Sequence, residues 1–188
     1  MGLDRVFVDS NELFPFSVMD LVLSLAEHRL IDFVWTDELL DEWERVIVRE
    51  KWRDATSANS VAGTVRQFFD DSQIDPADYR DLPWPELPDP DDRAHAAAAI
   101  AGADVLLTRN LDDFPTHLLG SVRVTTTDVY LAELLQRRRR DFVNVLVGLS
   151  SEKRRPPISP CEYVARLDGA GCPTLAASLR RLLRCEAK

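Results

Sequence analysis

Four acidic side chains, Asp9, Glu42, Asp92 and Asp113, fall at the tips of the elements that this sequence predicts. Carboxylates brought together from distant segments repel one another unless something neutralises them, and the usual neutraliser is a hard divalent cation. Roughly three to five oxygen ligands converging on one rim suit Mg2+ or Mn2+, completed by water and a substrate phosphate. The chemistry such a set could perform is metal-assisted hydrolysis of a phosphodiester.

Taken singly, each residue has a plainer explanation. An aspartate that ends a strand often caps a turn, and Glu42 alone reads as a solvated helix residue. Asp92 could be a helix N-cap, and so could Asp91. Ala96 and Ala99 fall four and seven residues after Asp92, on the packed face, which favours Asp92 without removing Asp91. The same one-residue choice exists between Asp112 and Asp113. Their joint occurrence, each with the right local structure, is what points to a site.

The elements that must position these residues alternate in kind. Arg5–Asp9 reads as a short buried strand followed by a Ser10-Asn11 turn, and Ile31–Trp35 as a second strand. Between them Ser17–Arg29 is an amphipathic helix. Thr36 caps a helix to about Lys51 and Ala55–Asp70 forms another. Asp75–Asp91 holds five of the eleven prolines and reads as a loop with one short strand. Asp92–Ala101 is an alanine-rich helix that Gly102 stops as a C′ glycine. Val105–Leu107 and Val122–Val124 are strands, with a helical turn at Leu111–Phe114. This alternation implies an α/β fold with a mostly parallel sheet covered on both faces. Ligands of such sheets bind beyond the C-terminal strand ends, where Asp9, Asn110 and Asp113 fall. Thr127 caps a first tail helix, and Ser159–Leu167 and Thr174–Leu183 are two more. The domains expected are therefore residues 1–127 and a helical extension over 128–188.

Net charge is −9, unevenly spread. Residues 132–188 hold twelve Lys and Arg against six Asp and Glu (+6), and residues 1–131 hold eleven against twenty-six (−15). An acidic body with a basic tail suits an enzyme whose carboxylates hold metal while cations elsewhere catch a polyanion. Arg137, Arg138, Arg139 and Arg140, with Lys153, Arg154 and Arg155, are the candidates for that contact; a solvated helix face is the plainer alternative. Cys161, Cys172 and Cys185 are odd in number and lack CxxC spacing, so neither a disulfide framework nor a zinc site is expected, and a cytoplasmic setting fits. No signal peptide or membrane span is expected.

Competing chemistries lack their motifs. Asp9-Ser10-Asn11 is not the Asp-x-Asp of haloacid-dehalogenase phosphatases, and no GxSxG, P-loop or GxGxxG pattern occurs. His28, His95 and His117 lack metal-ligand spacing. His95 could approach the cleft, although a packed or solvated role is the simpler one. Trp35, Trp43, Trp52 and Trp84 read as core or interface residues.

The segments Val6-Phe7-Val8-Asp9-Ser10-Asn11, Leu39-Leu40-Asp41-Glu42, Asp89-Pro90-Asp91-Asp92 and Leu107-Thr108-Arg109-Asn110-Leu111-Asp112-Asp113-Phe114 resemble the motifs of PIN-domain ribonucleases. Among these the chain is most similar to the VapC toxins of bacterial toxin–antitoxin pairs, over residues 5–126 and in the family's order. The resemblance implies a three-layer α/β/α domain and an Mg2+-dependent (or Mn2+-dependent) endoribonuclease. Its acidic set falls on Asp9, Glu42, Asp92 and Asp113, with Asp9, Asp92 and Asp113 as metal ligands. Thr108 and Asn110 support the last site, and Ser10 lines the pocket beside Asp9. Asn110 stands where many PIN enzymes carry aspartate, so a second metal is expected to bind more weakly than the first. The tail resembles a C-terminal extension found on a subset of these proteins. The partners implied are an RNA substrate, a cognate antitoxin protein and a second copy in a homodimer, with no protein nucleophile and no essential histidine. The alternatives are a catalytically weak PIN module serving as an RNA- or protein-binding scaffold, and a DNA-directed nuclease of related fold.

Overall fold

A computed structural model of the protein describes residues 2–82, 86–152 and 158–185. Four strands, β1 (Arg5–Val8), β2 (Asp32–Val34), β3 (Val105–Leu107) and β4 (Arg123–Thr125), form one sheet ordered β2-β1-β3-β4. Every neighbouring pair is parallel. The helices are α1 (Ser10–Leu13), α2 (Phe16–Glu27), α3 (Asp37–Arg49), α4 (Ala55–Phe68), α5 (Pro76–Tyr79), α6 (Arg93–Gly102), α7 (Thr127–Arg137), α8 (Arg139–Glu152), α9 (Pro160–Gly169) and α10 (Pro173–Leu183). The architecture is the α/β class that the alternating pattern predicts. Val6, Phe7 and Val8 in β1 and Leu106 and Leu107 in β3 are fully buried, as uninterrupted apolar runs in a parallel sheet should be. From β1 the chain moves to β2 on one side and later returns to β3 on the other. The order reverses there, so the C-terminal ends of β1 and β3 frame a crevice.

The described residues form two compact units. The first runs to Phe14 and resumes from Asp32 to Thr125; it holds the sheet, α1 and α3–α6. Within it Leu39, Leu40, Trp43 and Ile47 of α3 are buried, and α3 packs on α4 through Ala58, Ala62 and Val65. Thr36 caps α3 by accepting the Leu39 N–H at 3.2 Å. The second unit comprises Pro15–Ile31 and the residues from Thr126 onward. In it α2 packs with α8 and α9, and the Tyr163 hydroxyl donates to the Ser17 carbonyl at 2.7 Å. A sequence boundary at residue 127 therefore leaves α2 on the opposite side from the helices it packs with. Asp128 accepts the Thr174 and Leu175 N–H groups at 3.1 and 2.8 Å, so the start of α7 holds the start of α10.

Several local expectations change. Ser10-Asn11 opens α1 rather than forming a simple turn, and within the stretch expected to be a loop with one short strand Pro76–Tyr79 is helical. Thr126, not Thr127, caps α7. Gly102 does not stop α6 as a C′ residue; it is the last residue of the helix, and the site calls for glycine because a Cβ there would sit 2.8 Å from Ile74 Cδ1. Trp35 and Trp43 are buried, Trp52 is 54% exposed with its ring edge-on to Phe14, and Trp84 lies outside the described residues.

The expectation of no disulfide is overturned. Cys161 and Cys185 are bonded, with Cα atoms 5.6 Å apart. The α9–α10 hairpin is the reason: α9 begins beside the point where α10 ends, so residues 24 apart in sequence become neighbours. Cys172, in the turn, is buried and takes no part in the disulfide.

Candidate active site

Asp9 follows β1 directly and extends its ladder, its N–H donating to the Leu107 carbonyl at 2.8 Å. The carboxylate is buried, only 2% exposed. Thr108, one residue beyond β3 and fully buried, donates its hydroxyl to Asp9 Oδ2 at 2.8 Å. The same hydroxyl accepts the Asn110 N–H at 3.0 Å, so both its roles are filled. Asn110 in turn accepts the Asp113 N–H through its carbonyl at 3.0 Å, closing the 3-10 turn Leu111–Asp113. Thr108 thus supports Asp9 through its side chain and only shapes the loop that carries Asp113. Asn110 itself is exposed.

Glu42 comes from α3. Its Oε1 accepts the Ser10 hydroxyl at 2.6 Å, and Oε2 lies 3.3 Å from His95 Nε2 of α6. Asp41, the preceding residue, points elsewhere and bonds Arg66. Asp92 closes the 3-10 turn Pro90–Asp92 that leads into α6, but its side chain makes no capping bond. Asp89 is the residue that caps that turn, accepting the Asp91 N–H at 2.9 Å.

The electrostatics tie these residues together. The carboxyl of Asp92 is pushed up to about 7, first by burial and then by Asp9, Asp89, Asp113 and Glu42. Burial also raises Asp9, opposed by the Thr108 hydrogen bond, His95 and the Asn11 N–H, and assisted by Glu42. Asp9, Glu42 and Asp113 therefore all act on Asp92, and Glu42 acts on Asp9 as well. Asp91 and Asp112 are exposed, and the main causes of the rise at Asp92 lie elsewhere. Of the basic candidates, Arg137–Arg140 are exposed at the α7–α8 junction in the second unit, with Arg138 bonded to Asp141 at 2.9 Å. Lys153, Arg154 and Arg155 lie outside the described residues.

Among the described residues no three His, Cys, Asp or Glu side chains lie close enough to form a ready-made metal cage. The donors still fit a hard cation. They are oxygens in electrostatic excess, and Mg2+ keeps several waters while taking one or two carboxylates. One residue that acts on Asp92 carried little signal in the sequence: Asp89, whose position three residues before Asp92 is the available clue. Glu12, 2% exposed, instead bonds Arg109, with its Oε2 3.1 Å from Nε.

The family model for the PIN domain matches residues 5–112, and that for the VapC50 C-terminal domain matches residues 127–181. Comparison with curated proteins and with solved structures returns no match.

Proposed function

The chain belongs to the PIN-domain family as a VapC-type protein, a family of nuclease toxins, and from that premise we propose that it is a metal-dependent endoribonuclease. The observation that carries this reading is the elevation of two neighbouring carboxyls: burial raises Asp9, and burial first, then Asp9, Asp89, Asp113 and Glu42, push Asp92 up to about 7. Asp9, Asp92 and Asp113 would hold the metal, and a bound Mg2+ (or Mn2+) would supply charge neutralisation at the scissile phosphate and a more acidic attacking water. Thr108 keeps Asp9 oriented from within the core. Glu42, held by Ser10, completes the negative rim and orients water against the phosphate.

The substrate is RNA, presented as an accessible loop, with Arg137–Arg140 as phosphate contacts. A cognate antitoxin restrains the enzyme, and the chain forms a homodimer. No described helix is long and apolar enough to cross a membrane. We place the protein in the cytoplasm, where the Cys161–Cys185 bond would face a reducing pool.

The test is cleavage of total RNA by purified, antitoxin-free protein with Mg2+, Mn2+ or EDTA, beside Asp92→Asn. Discrete fragments that need metal and vanish in the variant are expected. Intact RNA in every lane from folded protein would overturn the nuclease.

A further inference from the structure

His95 is hard to explain as packing. It stands in α6 among Ala94, Ala96, Ala97, Ala98 and Ala99, where the helix needs only small apolar residues to pack. Its ring is nonetheless 3% exposed, tilted at 51° to Phe7 with centroids 5.9 Å apart. Nδ1 has no hydrogen-bond partner among the described residues. A buried polar atom left unpaired costs stability, and a leucine would avoid that cost entirely. The ring's polar anchor is Glu42: Nε2 lies 3.3 Å from Oε2, while the Ser10 hydroxyl holds Oε1 at 2.6 Å. Glu42 comes from the middle of α3 with its side chain 31% exposed, so without a second hold its carboxylate could rotate out toward solvent.

We propose that His95 is a positioning residue, whose Nε2–H donates to Glu42 Oε2 and, with Ser10, clamps both oxygens of that carboxylate toward Asp9 and Asp92. Each Glu42 oxygen retains a lone pair for water or substrate. Nothing in the clamp requires His95 to touch RNA. The unpaired Nδ1 is the consequence of placing one nitrogen where Glu42 needs it.

The inference rests on the nuclease reading, and its test separates the two. His95→Leu should lower kcat about ten- to a hundredfold with KM for RNA unchanged and the melting temperature equal or higher. His95→Gln, which keeps a donor near the Nε2 position, should recover most of the rate. In a Glu42→Gln background His95→Leu should cost no more, because the partner is already gone. Additive losses, failure of the glutamine to rescue, or a rate loss that tracks a falling melting temperature overturn the assignment. In parallel, nitrogen NMR of the wild-type ring should show a proton on Nε2 whose signal moves in Glu42→Gln. A signal indifferent to that change also overturns it. Wild-type protein that leaves RNA intact while showing the shift removes the nuclease reading instead, and with it the catalytic consequence of the clamp.

Discussion

The first unit contains two concentrations of carboxylate that behave in opposite ways. On one side of α3, Asp37 accepts from Arg66 Nε at 3.0 Å and Gln73 Nε2 at 2.9 Å, and Asp41 accepts from Arg66 Nη2 at 2.6 Å. Glu38 accepts from Tyr79 and Arg80, both at 2.6 Å. Burial pushes Glu38 up, but the Arg80 and Tyr79 hydrogen bonds outweigh it and hold its carboxyl below the usual range. At the ends of β1 and β3 the same residue types face one another, and Asp92 rises to about 7. The difference teaches that acidity alone does not mark a site. What marks it is acidity that the fold buries and leaves uncompensated.

The comparison breaks most sharply at Asp92. Asp92→Asn is expected to reduce RNA cleavage by roughly a hundredfold or more, since a charge needed at the reaction centre is lost. The metal-free melting temperature should stay level or rise as repulsion is relieved. A large fall in the melting temperature would place Asp92 among structural residues. The pH dependence follows the same logic. Asp92 has a higher pKa folded (about 7) than its ordinary 3.8, so the folded state binds the extra proton. That stabilisation is complete below about 4 and is lost as pH rises through about 7. Thermal melts of metal-free protein should decline across this window, Asp92→Asn should flatten the decline, and Mg2+ added near pH 8 should restore stability.

A smaller effect is expected at Thr108. Thr108→Val keeps the shape but removes the donor to Asp9 and the acceptor for the Asn110 N–H, at a cost of about 1–3 kcal/mol in urea melts. Thr108→Ser should recover most of it. The smallest change would make the paired region resemble the site. Arg66→Ala strips a partner from Asp37 and Asp41, but these acids are substantially exposed, and the loss should be about 1 kcal/mol with cleavage unchanged. A loss several times larger would show that the pairing is structural and not a surface feature.

Much of this was legible in the sequence because it rests on local pattern. Apolar runs and i, i+3, i+4 spacing locate β1, β3, α3 and α6, and a carboxylate just past a strand in a parallel sheet has few places to go. What was not legible depends on neighbours distant in sequence. Asp41 and Glu42 are adjacent and chemically alike, yet about 100° of helix turn sends one to Arg66 and the other to Ser10. Thr108 looked like a partner for the nearby Asp113, whereas the β1–β3 register brings it to Asp9. Gly102 resembled a helix stop because the contact that demands it, Ile74, lies in another segment. The cysteine pair was obscured in the same way: only the α9–α10 hairpin makes neighbours of Cys161 and Cys185.

The membership of α2 in the second unit has a consequence in time. Its buried residues, Val18, Leu21, Val22 and Leu25 among them, are synthesised early, while the α8 and α9 surfaces they meet come on the order of 100 residues later. At a translation rate of about 5–20 residues per second, an apolar helix waits roughly 5–20 seconds for its partners. During that interval it is a natural substrate for a chaperone. A ribosome stalled between β4 and α8 would hold a chain whose sheet is complete in sequence but whose second unit cannot yet close.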